Sequence, residues 1–308
     1  MKKGVLPSAA ALTGGTGRER QENVAAGILW MLFTMMWFIA LDTVAKQLLN
    51  VAGMPLMQVV WGRFFFHAII GMAAAAIVWR RRVASRAPRL QLVRSCLLFL
   101  TTGLFNAGLL TVPLATATSI MFLAPIMLTA LSVPFLGEHV GPRRWSGVAA
   151  GFVGALIIIR PGTEGFNHGA LLLLGAALTN SVYQLITRSV ARYDHPQTTF
   201  LYTALAGALL SSIAVPFVWQ PPLFSGWVLL IAMGVLGGVG HLFLIFAFDK
   251  APAAAIAPFA YSALIWASIA GYVFFNEIPD LWTIAGASVI TASGLYIFHR
   301  ERIVGRRT

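Results

Sequence analysis

Charged side chains are scarce in this chain, 10% of 308 residues against 58% hydrophobic. Soluble domains carry about 25% charge, and a mean hydropathy of +0.79 is more than one soluble core of this size can hide. A water-soluble enzyme or binding module is thereby excluded. Acids are scarcer than bases, 10 against 22, for a net charge of +12. Nucleic acid is not the implied partner, because the basic residues lie between apolar runs instead of along a polar face. A single cysteine, Cys96, excludes an internal disulfide and most thiolate metal sites; it reads as a small apolar residue within a helix. The chain has no His-Glu-x-x-His, Gly-x-Ser-x-Gly or phosphate-loop lysine signature. No catalytic centre, metal, cofactor or ATP-driven step is therefore expected.

What is present is apolar length. Crossing the hydrocarbon takes about 20 apolar residues, and ten runs approach that: 24–46, 55–79, 90–112, 115–136, 145–160, 169–191, 197–219, 226–248, 252–275 and 281–299. The expected fold is an all-α membrane protein of ten transmembrane helices, with 1–23 a disordered cytoplasmic tail and 300–308 a basic one. With the N-terminus inside, 19 Lys and Arg fall on the cytoplasmic side, among them Arg80 to Arg82, Arg94, Arg143 and Arg144. Lys46 and Arg160 alone fall outside. That bias predicts both termini in the cytoplasm.

The chain also repeats itself. At an offset of 139, Pro113 falls on Pro252, Glu138 on Glu277 and Gly147 on Gly286. Two units follow, 24–160 and 161–299, of five helices each. An odd-numbered repeat re-enters the membrane upside down, so the halves should be inverted around a central cavity, as in many secondary transporters. Gly147, Gly151 and Gly154 form a small-residue face suited to close helix packing. Glycine-rich helices of this kind also leave a homodimer open.

The pattern resembles the ten-helix EamA-type transporters of the drug/metabolite transporter superfamily. The resemblance rests on Trp61-Gly62-Arg63, Pro125 in an Ala/Thr-rich helix, Leu136-Gly137-Glu138, Ala257-Pro258-Phe259-Ala260-Tyr261 and Phe275-Asn276-Glu277-Ile278-Pro279. It spans 24–299 and is nearest to bacterial inner-membrane exporters of amino acids and related metabolites. Leu264 stands where the family often has the proline matching Pro125; Pro258 lies six residues earlier.

An ionisable group in hydrocarbon costs several kcal/mol on insertion scales, roughly 3 at a helix centre, so such groups mark sites or buried pairs. Asp42 is expected to pair with Lys46 at i, i+4 or with Arg63. Counting from Pro55, Arg63 lies roughly 12 Å into the membrane at about 1.5 Å per residue. It should meet Asp42 or a water-filled cavity. His67 and His241 are read as hydrogen-bond partners or proton carriers. Asn180, Tyr183 and Gln184 line one side of a helix, with Gln58 and Asn106 as further polar candidates. Trp37 and Tyr261 are candidate cavity walls, with Tyr202 and Trp266. Pro125, Pro216 and Pro258 are expected to break their helices. Glu138 and Glu277 read chiefly as helix-junction residues. The function expected is export of amino acids, aromatic ones included, or related zwitterions across the inner membrane by alternating access, with membrane lipids as the other partner. A carrier of nucleotide precursors, sugars or drugs, a channel and a membrane enzyme are the alternatives.

Overall fold

A computed structural model describes residues 23–77, 84–137 and 141–304. The predicted N-terminal tail up to residue 22, Arg80 to Arg82, Glu138 and residues 305–308 lie outside the described residues. The elements are α1 (Val24–Lys46), extended by a π-helical turn Gln47–Val51, α2 (Leu56–Ile77), α3 (Pro88–Leu109), α4 (Leu114–Met121), α5 (Leu123–Leu136) and α6 (Pro142–Ile159). Then come α7 (Gly169–Val190), α8 (Pro196–Ala214), α9 (Phe224–Lys250), α10 (Ala253–Ile256), α11 (Ser262–Phe275) and α12 (Leu281–Val304). Among the described residues there is no strand, and nine stretches are long and apolar enough to cross a membrane. The fifth predicted span, α6, has 18 residues with Arg143 and Arg144 in its first turn, and is not one of them. At the other end, α12 continues to Val304, five residues past the predicted end at 299.

Local chemistry sets the boundaries. Asn23 caps α1, accepting from the Ala26 N–H at 3.0 Å, and Asp280 caps α12, accepting from the Thr283 N–H at 2.8 Å. Pro88, Pro142 and Pro196 open their helices, where the missing N–H has no intrahelical use. Gly137 (φ 67°) ends α5 and Asn276 (φ 53°) ends α11, both left-handed. These two residue types adopt that conformation most easily, and they too stand 139 apart.

Two of the apolar runs are interrupted. The run at 115–136 divides at Phe122, whose N–H is shared between Thr118 O and Ser119 O. Pro125 cannot donate to the preceding turn, which loosens the helix there. The run at 252–275 opens as α10, tightens to a 3₁₀ turn at Ala257–Tyr261 containing Pro258, and resumes as α11. Pro216 differs: it sits in a 3₁₀ turn, Val215–Val218, that follows α8 instead of interrupting it. The two breaks meet. Phe122 and Tyr261 stack with ring centroids 4.6 Å apart and planes at 25°.

The helices pair across the chain. α1 lies along α9, α3 along α7, α2 along both α8 and α9, and α6 along α12. At the α6–α12 crossing, a Cβ on Gly286 would fall 2.5 Å from the Gly154 carbonyl oxygen. Ser293 Oγ donates to the Gly147 carbonyl beside it. Gly240 and Gly234 of α9 are covered by Phe38 and Phe66. These glycine faces are consumed inside the chain, which removes them as the basis for the predicted homodimer. Outward positions stay apolar, including Leu156, Leu209 and Ile265 at 56–64% exposure, as lipid contact requires.

Each end of the bundle is tied by a buried polar junction. Lys46, 2% exposed, pairs with Glu277 and donates to the Val112 carbonyl at 3.1 Å. The second Glu277 oxygen accepts from the Leu114 N–H at 2.9 Å, at the start of α4. The expected Asp42–Lys46 pair is therefore not formed: Glu277 lies directly against the amine and offers a full charge. At the opposite end, Asp194, 8% exposed, accepts from Ser85 Oγ, from the Arg86 N–H at 2.7 Å and from Gln91 Nε2 at 2.8 Å. Burial alone would raise the Asp194 pKa, but these hydrogen bonds outweigh it and hold the carboxyl below its ordinary value of 3.8.

Gly286→Ala is expected to lose about 1–3 kcal/mol by overpacking. A Cβ on Gly103 would meet nothing within 4 Å, so Gly103→Ala should be neutral or gain about 0.5–1 kcal/mol. Thermal melts of the detergent-purified variants check this, and equal melting points would refute the tight crossing. Glu277→Gln should cost about 3–5 kcal/mol by stranding Lys46, with most of it recovered in the Lys46→Met/Glu277→Gln double variant. A carboxyl with a depressed pKa stabilises above its unfolded value and loses that contribution as pH falls through the folded one. The melting-point gap between wild type and Asp194→Asn should accordingly narrow as pH drops below 3.8; a gap independent of pH would contradict it.

Candidate functional site

Two opposite charges stand in the interior with no hydrogen-bond or ion-pair partner among the described residues. Asp42 on α1 and Arg63 on α2 are each half-buried. Among the described residues neither forms a hydrogen bond or an ion pair within 4.0 Å, although each lies in the other's electrostatic range. The expected direct Asp42–Arg63 pair is thus open, and both side chains keep accessible surface. The Arg63 guanidinium lies 6.0 Å from the Phe64 ring centroid. A low local dielectric strengthens the attraction between a guanidinium and an opposite charge.

Around Arg63 the bundle presents rings and polar tips. His67 packs edge-on against Phe200 at 4.6 Å and lies 5.4 Å from His241. One ring nitrogen of His241 is 2.8 Å from the Gly237 carbonyl, while Nε2 of His67 has no partner among the described residues. Both histidines lie in the electrostatic range of Arg63. Tyr183 on α7 also lies in that range. On the same helix Asn180, one turn earlier, and the adjacent Gln184 keep accessible surface and make no hydrogen bond to a described residue. Trp37 packs edge-on against Phe243 at 5.4 Å with its indole N–H unpartnered. Trp266 Nε1 and Ser262 Oγ are likewise buried and unpartnered, on the same helix as each other and next to Tyr261.

Other candidates serve elsewhere. Gln58 is fully buried and spent on the α8–α9 connection, donating to Gln220 O at 2.8 Å and accepting from the Gln220 N–H at 3.1 Å. It is a structural clip, not a cavity residue. Asn106 is fully buried, with both amide atoms unpartnered among the described residues. Two clefts also lie elsewhere. One of about 680 Å³ lies between Lys46, Asn50 and the Tyr272–Glu277 segment, and one of about 210 Å³ beside Arg160 and Asp280. Neither is lined by Asp42 or Arg63.

Sequence reasoning misses Arg94. Counted as a cytoplasmic loop charge, it is 4% exposed and enters the bundle between α3, α7 and α8. It donates to Thr187 Oγ1 at 2.7 Å, Thr203 Oγ1 at 2.6 Å and Tyr183 Oη at 2.8 Å, and lies 4.7 Å over the Tyr183 ring. Gln91, one turn earlier, carries the network on to Asp194 and Thr199. The only sequence signal is position: Gln91 and Arg94 stand three apart inside an apolar run, where a solvated loop charge does not belong.

Comparison with known proteins agrees with this architecture. The profile of the EamA-like transporter family matches residues 25–160 and again 167–298. An S-adenosylmethionine uptake transporter of Rickettsia bellii is 30% identical over 283 residues, 91% of this chain and 96% of its own. A riboflavin transporter of Rhizobium johnstonii is 29% identical over 280 residues, 91% and 93% of the two chains. A pseudopaline exporter of Pseudomonas aeruginosa is 25% identical over 277 residues, 87% and 94%. A solved crystal structure superposes with a TM-score of 0.61 at 17% identity, covering 89% of this chain and 98% of that one, which speaks to the fold alone. The chain belongs to the EamA-like transporter family, within the drug/metabolite transporter superfamily.

Proposed function

We propose that the protein carries a small zwitterionic metabolite with an amino-acid head across the bacterial inner membrane, without ATP hydrolysis, both termini being cytoplasmic. The observation that carries this reading is the pair of interior charges, Asp42 and Arg63, that face each other without a direct contact among the described residues. An ammonium placed at Asp42 and a carboxylate at Arg63 would neutralise both, and the surrounding rings suit an aromatic or other apolar body. S-Adenosylmethionine has such a head together with a flat ring, and riboflavin has the ring without the head. The relatives are named for uptake in one case and export in another. Direction here follows the substrate gradient, which means export from a cell that makes the metabolite.

Alternating access requires two halves that rock about the site. Support for ten helices in two inverted five-helix units comes from the two family matches, from the left-handed helix ends at Gly137 and Asn276, and from the helix breaks that meet at Phe122 and Tyr261. The helix pairing has the same sense. If α1 corresponds to α7 and α3 to α9, then α1–α9 and α3–α7 are one contact made twice, while α2–α8 and α6–α12 are contacts between equivalent helices. That exchange is what a two-fold relation between the halves produces, and an odd number of helices per half would lay its axis in the membrane plane.

Uptake of labelled L-tryptophan, L-methionine, S-adenosylmethionine and riboflavin into proteoliposomes tests the reading. Saturable, competable entry of the zwitterions is expected, with the apparent KM raised at least tenfold in Arg63→Gln and in Asp42→Asn. Entry of riboflavin alone, unaffected by either substitution, would remove the head-group assignment.

A further inference from the structure

We infer that Tyr183 and Arg63 together form the subsite for a substrate carboxylate or similar oxyanion, and that Arg94 is the positioning residue that orients Tyr183 for it. The inference rests on the transport reading above and names which groups would grip which end of the substrate. It follows from the counting of donors and acceptors. A guanidinium only donates, so in the 2.8 Å contact between Arg94 Nη2 and Tyr183 Oη the phenol oxygen must be the acceptor. The phenol hydrogen is then free, and no described group accepts it. Arg94 also lies 4.7 Å over the same ring, which pins its plane as well as its oxygen.

Arg94 itself is held by four further acceptors, Thr187, Thr203, the Thr199 carbonyl at 3.3 Å and Gln91 at 3.4 Å. Thr187 in turn donates to the Tyr183 carbonyl at 2.7 Å, closing the loop on the same helical turn. Tyr183 is therefore a preset donor on a rigid mount. It stands in the electrostatic range of Arg63, which makes no hydrogen bond to any described residue. A hydroxyl donor and a full positive charge in electrostatic range of each other, both on side chains that keep accessible surface, select an acceptor that is itself negative. The wider field agrees: Arg63 and Arg94 both act on His241, and among the described residues Asp42 is the acid that faces Arg63.

Two probes separate the ends of the substrate: indole-3-propionate, with a carboxylate and no amine, and tryptamine, with an amine and no carboxylate. Their affinity for the purified full-length protein in detergent is read from the ligand-dependent rise in melting temperature. Indole-3-propionate should stabilise the wild type, and its affinity should fall at least tenfold in Tyr183→Phe and in Arg63→Gln. Tryptamine affinity should be unchanged in Tyr183→Phe and fall in Asp42→Asn. Arg94→Lys, which keeps the charge but loses the planar fork, should weaken the carboxylate probe and spare the amine. No stabilisation of the wild type by indole-3-propionate, or equal loss of both probes in Tyr183→Phe, would overturn the inference. A carboxylate-selective loss without zwitterion uptake in proteoliposomes would instead sink the transport reading and leave this subsite standing.

Discussion

Arg63 keeps a positive charge inside an apolar bundle with no described counter-ion in contact, and much of the surrounding structure is arranged around that cost. Water-sized space reaches it, as its partial exposure requires. Asp42 opposes it at a distance instead of neutralising it. Had the two closed into a direct pair, the interior would hold an inert ion pair of the kind that locks helices together. Held apart, they are the two interior charges on which the proposed substrate head group would act.

The rest of the molecule treats polarity in the opposite way. At one end Lys46, Glu277, Val112 and Leu114 satisfy one another; at the other, Asp194 takes hydrogen bonds from three groups. These junctions bind the first half of the chain to the second at both ends, while the middle is left open in its bonding. Buried glycines allow the α6–α12 backbones to approach closely, so the outer helices form a rigid frame.

Much of the fold is legible in the residues because membrane helices obey local rules. Length and apolarity locate the helices, and prolines at 125 and 258 locate two breaks. The offset of 139 that aligns Pro113 with Pro252 also aligns the two left-handed helix ends, Gly137 and Asn276. The site is legible only in part. Asp42, Arg63, His67, Tyr183 and His241 stand out because ionisable and polar groups are conspicuous in hydrocarbon. Gln58 misleads because its partner, the Gln220 backbone 162 residues away, leaves no trace nearby in the chain. Helical spacing pairs Lys46 with Asp42, but a glutamate 231 residues away sits against it. Arg94 passes for a topology charge because its threonine and tyrosine partners come from two other helices.

Hydropathy and spacing alone establish that this chain lives in a membrane as helices, that its two halves share a pattern, and which few ionisable groups lie deep. These are one-dimensional properties, and folding does not alter them. Which charges are paired and which are free, that Arg94 orients Tyr183, and that the glycine faces are used within the chain are properties of the assembled bundle. Pairing energies act over a few ångströms between residues far apart in sequence, so they exist only once the helices have been brought together.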